Sequence, residues 1–166
     1  MDRFVLLLRG INVGKAKRIP MAGLRALLAD AGYTDVKTLL NSGNVVLTGP
    51  VDVPAIEKAI TAATGHTVPC VTRTADEITT ILDGHPFADV ADDGSRMMVH
   101  VLGADPGTVA VEKAVALDPD RARPGPGVLY QWCPDGLLQA PEITKGIGVL
   151  VTARNWNTLT KLAALL

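Results

Sequence analysis

Ten consecutive positions near the start of the chain, Arg9 to Arg18, hold four basic side chains, Arg9, Lys15, Lys17 and Arg18, and the amide of Asn12. These are the groups that recognise a carboxylate or a phosphate. A guanidinium grips it as a planar fork, an ammonium attracts it as a compact charge, and an amide orients it by hydrogen bonds. A second polar run, Asn41-Ser42-Gly43-Asn44, adds a hydroxyl and further amides. A third, Arg154-Asn155-Trp156-Asn157-Thr158, sets a guanidinium beside two amides. The candidate ligand-binding residues are therefore Arg9, Asn12, Lys15, Ser42, Asn44, Arg154 and Asn155. Each has a structural reading as well. Arg9 and Arg154 can answer a local carboxylate, Asn44 can close a turn because asparagine tolerates positive φ, and Lys17 and Arg18 can be a solvated surface.

Other chemistries find little support. Gly10-Ile11-Asn12-Val13-Gly14-Lys15 imitates a phosphate-binding P-loop, but its spacer is three residues instead of four. Ala16 stands where a Ser or Thr would hold magnesium, and Pro20 delays the helix beyond the lysine. His66, His85 and His100 share no pattern with a serine or cysteine nucleophile. Cys70 and Cys133 are far apart without a partner at metal spacing, so they read as buried thiols of a reducing compartment. Asp89, Asp92 and Asp93 lie in a polar linker and read as a solvated turn. No metal site or cofactor is expected, and the sequence offers no nucleophile–base pair that would name a catalytic residue.

The elements that must position these groups follow from composition and periodicity. Hydrophobic residues make up 48% of the 166 positions, enough for a sizeable core, and charged residues 20%, too few for a disordered chain. The formal net charge of −1 supplies no global field for nucleic acid or anionic lipid. No apolar run approaches a membrane span, and the start lacks a signal-peptide pattern, so a cytoplasmic protein is expected.

Strands are expected at Arg3 to Leu8, Val36 to Leu40, Val45 to Thr48 and Thr67 to Thr72. Helices start at Pro20 and at Asp52, and a capping box at Thr74-Ala75-Asp76-Glu77 opens a third. The order βαββαβ is the split-βαβ, or ferredoxin-like, arrangement. The pattern then begins again. Strands fall at Arg96 to Leu102, Arg121 to Arg123, Val128 to Trp132 and Val149 to Thr152. A helix opens at Asp105-Pro106, a short helical stretch contains Pro141, and Asn155 caps a terminal helix. The expected fold is α+β: two ferredoxin-like halves with antiparallel sheets, residues 1–88 and 96–166, with a C-terminal helix. Val71-Thr72-Arg73-Thr74 and Val151-Thr152-Ala153-Arg154-Asn155 each run from a strand through an Arg to a helix cap, which points to duplication. In this topology the loop after the first strand, the turn between the second and third, and the start of the first helix share one end of the sheet. Arg9, Asn12 and Lys15 are thus expected near Ser42 and Asn44, beside the unpaired N–H groups of a helix start.

Leu7-Leu8-Arg9-Gly10-Ile11-Asn12-Val13-Gly14, Pro20-Met21, Ser42-Gly43-Asn44-Val45 and Arg154-Asn155-Trp156-Asn157-Thr158, in that order, resemble the bacterial domain-of-unknown-function family 1697, over nearly the whole chain. The resemblance implies an α+β fold with ferredoxin-like halves and no established activity. One departure stands out. Relatives often carry Ser-Lys-Leu on a longer helix after the Pro-Asp-Gly turn, where this chain has Leu137-Leu138-Gln139-Ala140-Pro141, leaving Lys145 as a stand-in for that lysine.

Three functions are carried forward. The first is a binding protein or enzyme for an anionic or phosphorylated small molecule. The second is an interaction module that forms a homodimer through a sheet edge or helix face. RNA binding ranks last, because only 4% of residues are aromatic and Asn44 to Thr48 offers no ring for base stacking.

Overall fold

The protein, described by a computed structural model over residues 2–166, has two four-stranded antiparallel sheets and five α-helices, the α+β class expected. By chain contacts it divides into two compact units, Met1–Ile78 with Lys161–Leu166, and Thr79–Thr160.

The first sheet contains β1 (Arg3–Leu8), β2 (Thr34–Leu39), β3 (Asn44–Thr48) and β4 (Cys70–Thr74), in the order β2-β3-β1-β4. The apolar run of β1 takes the centre, and Val5, Leu6, Leu7 and Leu8 are all fully buried. Because successive side chains point to opposite faces, both faces of this strand are covered. Leu6 and Leu8 pack with Val45 and Leu47 of β3 under α1 (Met21–Asp30) and α2 (Val53–Thr64), which contribute Leu24, Leu28, Ile56 and Ile60. Each such side chain stabilises the fold by roughly 1.5–3 kcal/mol. Asp52 caps α2 by accepting from the Ala55 N–H at 3.1 Å, and Gly65 ends it in the left-handed conformation.

After β4 comes α3 (Ala75–Asp83), opened by the expected capping box. The Thr74 N–H donates to Glu77 Oε2 at 2.8 Å, and the Glu77 N–H donates to Thr74 Oγ1 at 3.1 Å. The second sheet holds β5 (Met97–Leu102), β6 (Ala122–Gly125), β7 (Val128–Trp132) and β8 (Val151–Asn155), with α4 (Thr108–Ala116) between β5 and β6 and α5 (Trp156–Leu165) after β8. Its order, β6-β7-β5-β8, is the same permutation as the first.

Three elements differ from expectation. The helix after β5 starts at Thr108, because the Asp105 carboxylate accepts from the Gly107 N–H at 2.8 Å and holds the turn before it. Between β7 and β8 the helical stretch reduces to one 3-10 turn at Leu137–Gln139 that ends before Pro141. Finally, β4 and β8 run on to the helix caps. Arg73 and Arg154 therefore lie within strands, opposite Val5 and Val99, rather than after strand ends.

A polar chain crosses the core of the second unit. His100, on the same face as Leu102, holds Gln131 through Nε2···Oε1 at 2.9 Å. The Gln131 Nε2 donates to Asp118 Oδ2 and to the Pro141 carbonyl, both at 3.0 Å. This pins the non-helical segment after β7 to the sheet. Burial holds the His100 pKa below its ordinary value, although the bond to Gln131 opposes the shift. The unfolded chain therefore takes up this proton first as pH falls. The stability from neutral His100 is complete above the unfolded pKa of about 6.5 and is lost as pH drops through that value toward the folded one. Urea unfolding at pH 7.5 and 5.0 should show lower stability at the lower pH, with a limiting slope of about 1.4 kcal/mol per pH unit. His100→Asn should remove most of that dependence. An unchanged slope in the variant would assign it to other groups.

Candidate functional site

The loop from β1 to α1 is organised by Asn12. Its Nδ2 donates to the Ile19 carbonyl at 2.9 Å and to the Asn41 carbonyl at 2.7 Å, and its Oδ1 accepts from the Ile19 N–H at 2.8 Å. Its own N–H donates to the Lys17 carbonyl at 3.1 Å. One side chain thus ties the loop to the residue before Pro20, where α1 begins, and to the turn between β2 and β3. Asn12 has φ +53°, a left-handed conformation that asparagine accepts more readily than most residues. With both amide donors and the carbonyl oxygen engaged, Asn12 shapes the loop through its own backbone bonds. Ile11 and Ile19 are buried in the first core and anchor the loop below.

Above that anchor the basic residues stay in solvent. Val13 to Ala16 form a tight turn closed by an Ala16 N–H bond to the Val13 carbonyl at 3.1 Å, with Lys15 exposed at its tip. This small hairpin is no phosphate-cradling loop, and α1 starts only after Pro20. The Lys17 ammonium donates to the Thr67 carbonyl at 2.9 Å. Arg9, Lys15 and Arg18 are exposed, and among the described residues their side chains have neither an ion pair nor a hydrogen bond. The start of α1 carries no side-chain cap and no acidic residue in its first turn, so its partial positive charge is unanswered by side chains.

The turn between β2 and β3 explains the Ser-Gly-Asn sequence. Asn44 is fully buried and pairs on both sides, with Leu39 of β2 and Leu7 of β1. Its Nδ2 donates to the Leu39 carbonyl at 2.9 Å and to Ser42 Oγ at 3.0 Å. Gly43 adopts φ +88° and lies against β1, and the Leu8 N–H donates to its carbonyl at 2.9 Å. In the sequence this close approach to Leu8 is signalled by no more than a glycine between two polar turn residues.

The second cluster belongs to the other unit and is built differently. Arg154 is buried, and its NH1 group donates to Thr152 Oγ1 at 2.7 Å and to the Ala153 carbonyl at 2.9 Å. Burial lowers its pKa to about 10, which leaves it charged at neutral pH. Arg73 has a matching bond from its NH1 group to the carbonyl of the preceding Thr72, at 2.8 Å. Asn155 caps α5 by accepting from the Thr158 N–H at 2.9 Å. The Trp156 and Asn157 N–H groups donate to the Gly94 carbonyl at 3.0 and 3.4 Å. Those first donors of α5 are taken by protein, in contrast to the open start of α1. Trp156 packs on His85 with ring centroids 4.2 Å apart. Gly94 fits closely against Asn157, where a larger residue would meet the amide. Among the described residues no group of three His, Cys, Asp or Glu side chains could hold a metal ion.

The sequence profile of the family described as a protein of unknown function (DUF1697) matches residues 1–130. The chain belongs to this family. The match spans Leu7 to Gly14, Pro20-Met21 and Ser42 to Val45, so three of the four motifs that suggested the family lie within it, and Arg154 to Thr158 lies beyond it. A conserved bacterial protein, SP0830 from Streptococcus pneumoniae, shares the fold of this DUF1697 member. It is 22% identical, with a TM-score of 0.67 over 99% of this chain and 98% of that one. At that identity the likeness concerns the fold. No functionally curated protein matches the chain. No helix among the described residues is long and apolar enough to cross a membrane.

Proposed function

We propose that the protein binds a small phosphorylated or carboxylated ligand at the end of its first sheet where β1 meets α1. The observation that carries this reading is the set of exposed, unpartnered cations Arg9, Lys15 and Arg18 on a loop that Asn12 holds beside the open start of α1. A carboxylate or phosphate there would meet cationic side chains and helix N–H groups together. In this reading Arg9 and Lys15 supply charge. Asn12, Ser42 and Asn44 hold the loop and turn in place, and Arg154 with Asn155 performs the corresponding structural task at β8 and α5. The shared strand order and the matching Arg73 and Arg154 support an origin of the two halves by duplication. Two buried free thiols support a reducing, cytoplasmic setting. Burial raises the Cys70 pKa to about 12 and the Cys133 pKa to about 11.

Self-association through the edge at β2 or β6 is less favoured. The outer strand β2 has a register shift between Thr34 and Lys37, with Asp35 at φ +50°, and the outer strand β6 carries Pro124. Irregularity, charge and proline are the features that block edge pairing.

The test is thermal unfolding with phosphate, nucleotides, sugar phosphates and carboxylates. A ligand at about 100 times its Kd adds about 2.7 kcal/mol, which should raise the Tm by roughly 5–10 °C. Arg9→Gln and Lys15→Gln should abolish the shift while leaving the unliganded Tm within about 1–2 °C of wild type. Absence of any shift across the panel would defeat the proposal. So would a shift that survives both substitutions.

A further inference from the structure

The second unit carries an open groove beside α4, where the chain between β7 and β8 has no helix equivalent to α2. In the first unit, Ile56 and Ile60 of α2 cover the sheet beside α1. In the second, the chain between β7 and β8 has only the short turn at Leu137–Gln139. The corresponding cover comes from Ile143 and Ile147, packed with Leu102, Ala114, Ala122 and Leu129. The groove, of about 650 Å³, lies between α4 and residues 143–147. That is the size range of small-molecule sites.

Its walls are aliphatic. Val109, Ala110, Ala114, Leu117, Ile143 and Ile147 contribute to them, and no aromatic ring does. Val109 and Leu117 are 64% and 54% exposed, a cost in apolar surface that a ligand would relieve. The charged lining residues are Lys113 and Lys145, and no carboxylate joins them. Both lysines are exposed, and among the described residues neither side chain has an ion pair or a hydrogen bond. The comparable groove between α1 and α2 has Asp30 as its charged lining residue, so the positive character belongs to the second unit alone.

We propose that this groove binds a small aliphatic anion, with its chain along α4 and its carboxylate or phosphate head held by Lys113 and Lys145. Aliphatic walls favour a flexible hydrocarbon chain by burial and dispersion, and two ammonium groups without a counter-charge select an anionic head. The site is independent of the loop around Arg9.

The test titrates the full-length protein with octanoate, octyl phosphate, 1-octanol and octyltrimethylammonium, followed by amide NMR shifts. Octanoate or octyl phosphate should give saturable shifts at residues 108–117 and 143–147, and the tighter of the two identifies the head group. Lys113→Gln with Lys145→Gln should weaken that binding at least about fivefold with the Tm unchanged, whereas Arg9→Gln should leave it intact. Equal binding of 1-octanol or the cationic amphiphile would overturn the proposal, since charge would then have no role. So would shifts confined to residues 9–19, or no saturable shift with either anion.

Discussion

Gly43→Ala should destabilise the protein by about 2–5 kcal/mol. Two costs combine. At φ +88° an L-residue is strained by roughly 1–3 kcal/mol. The added Cβ would also lie 2.7 Å from Leu8 Cβ and 2.9 Å from Ile11 Cδ1. Neither neighbour can withdraw easily. Leu8 is fully buried in the central strand, and Ile11 is packed in the core beneath the loop. Relief would require the turn to lift from β1, which breaks the bond from the Leu8 N–H to the Gly43 carbonyl. The control is Gly14→Ala. Gly14 also has positive φ, +59°, but a Cβ there meets nothing within 4 Å, so the conformational cost stands alone at about 1–2 kcal/mol. Urea unfolding of both variants separates the terms. Equal losses would show that close packing against Leu8 and Ile11 contributes nothing.

The second large effect is expected from Asn12→Ala, at about 2–4 kcal/mol. Alanine removes three hydrogen bonds, to the Ile19 N–H, the Ile19 carbonyl and the Asn41 carbonyl, and accepts φ +53° less readily than asparagine. The variant connects fold to proposed function. With the tie gone, the loop bearing Arg9, Lys15 and Arg18 is no longer fixed beside the start of α1. Anion binding should then weaken together with loop order. Arg9→Gln should instead lose binding at nearly unchanged stability. Unfolding curves and ligand-induced Tm shifts measured on both variants distinguish the two patterns. Unaltered loop amide shifts in Asn12→Ala would show that Ile11 and Ile19 hold the loop without help.

The fit between sequence and structure varies along the chain for identifiable reasons. Caps were legible because they are local. Thr74 with Glu77, Asp52 ahead of Pro54, and Asn155 three residues before Thr158 each satisfy helix donors within one turn of sequence. The ends of β4 and β8 were less so, since pairing with β1 and β5 carries them past the residues of highest strand preference. The stretch after Pro134, read from the sequence as a short helix containing Pro141, forms only the turn at Leu137–Gln139. Contacts far apart in sequence, such as Gln131 with Asp118 and the Pro141 carbonyl, decide its path.

The polar residues divide along the same line. Their chemical type follows from the sequence, as does the placing of Arg9, Asn12 and Lys15 toward Ser42 and Asn44: βαββαβ order puts the loop after β1 beside the turn before β3. Which of them stay open to a ligand does not. Asn12, Asn44, Arg154 and Asn155 have hydrogen-bonding partners within the protein, while Arg9, Lys15 and Arg18 reach solvent. An amide or guanidinium has the same composition in either role. Only the placement of carbonyls, N–H groups and core side chains around it fixes whether its bonds are spent inside the protein. The same holds for Lys113 and Lys145, which the fold places along one groove between α4 and residues 143–147.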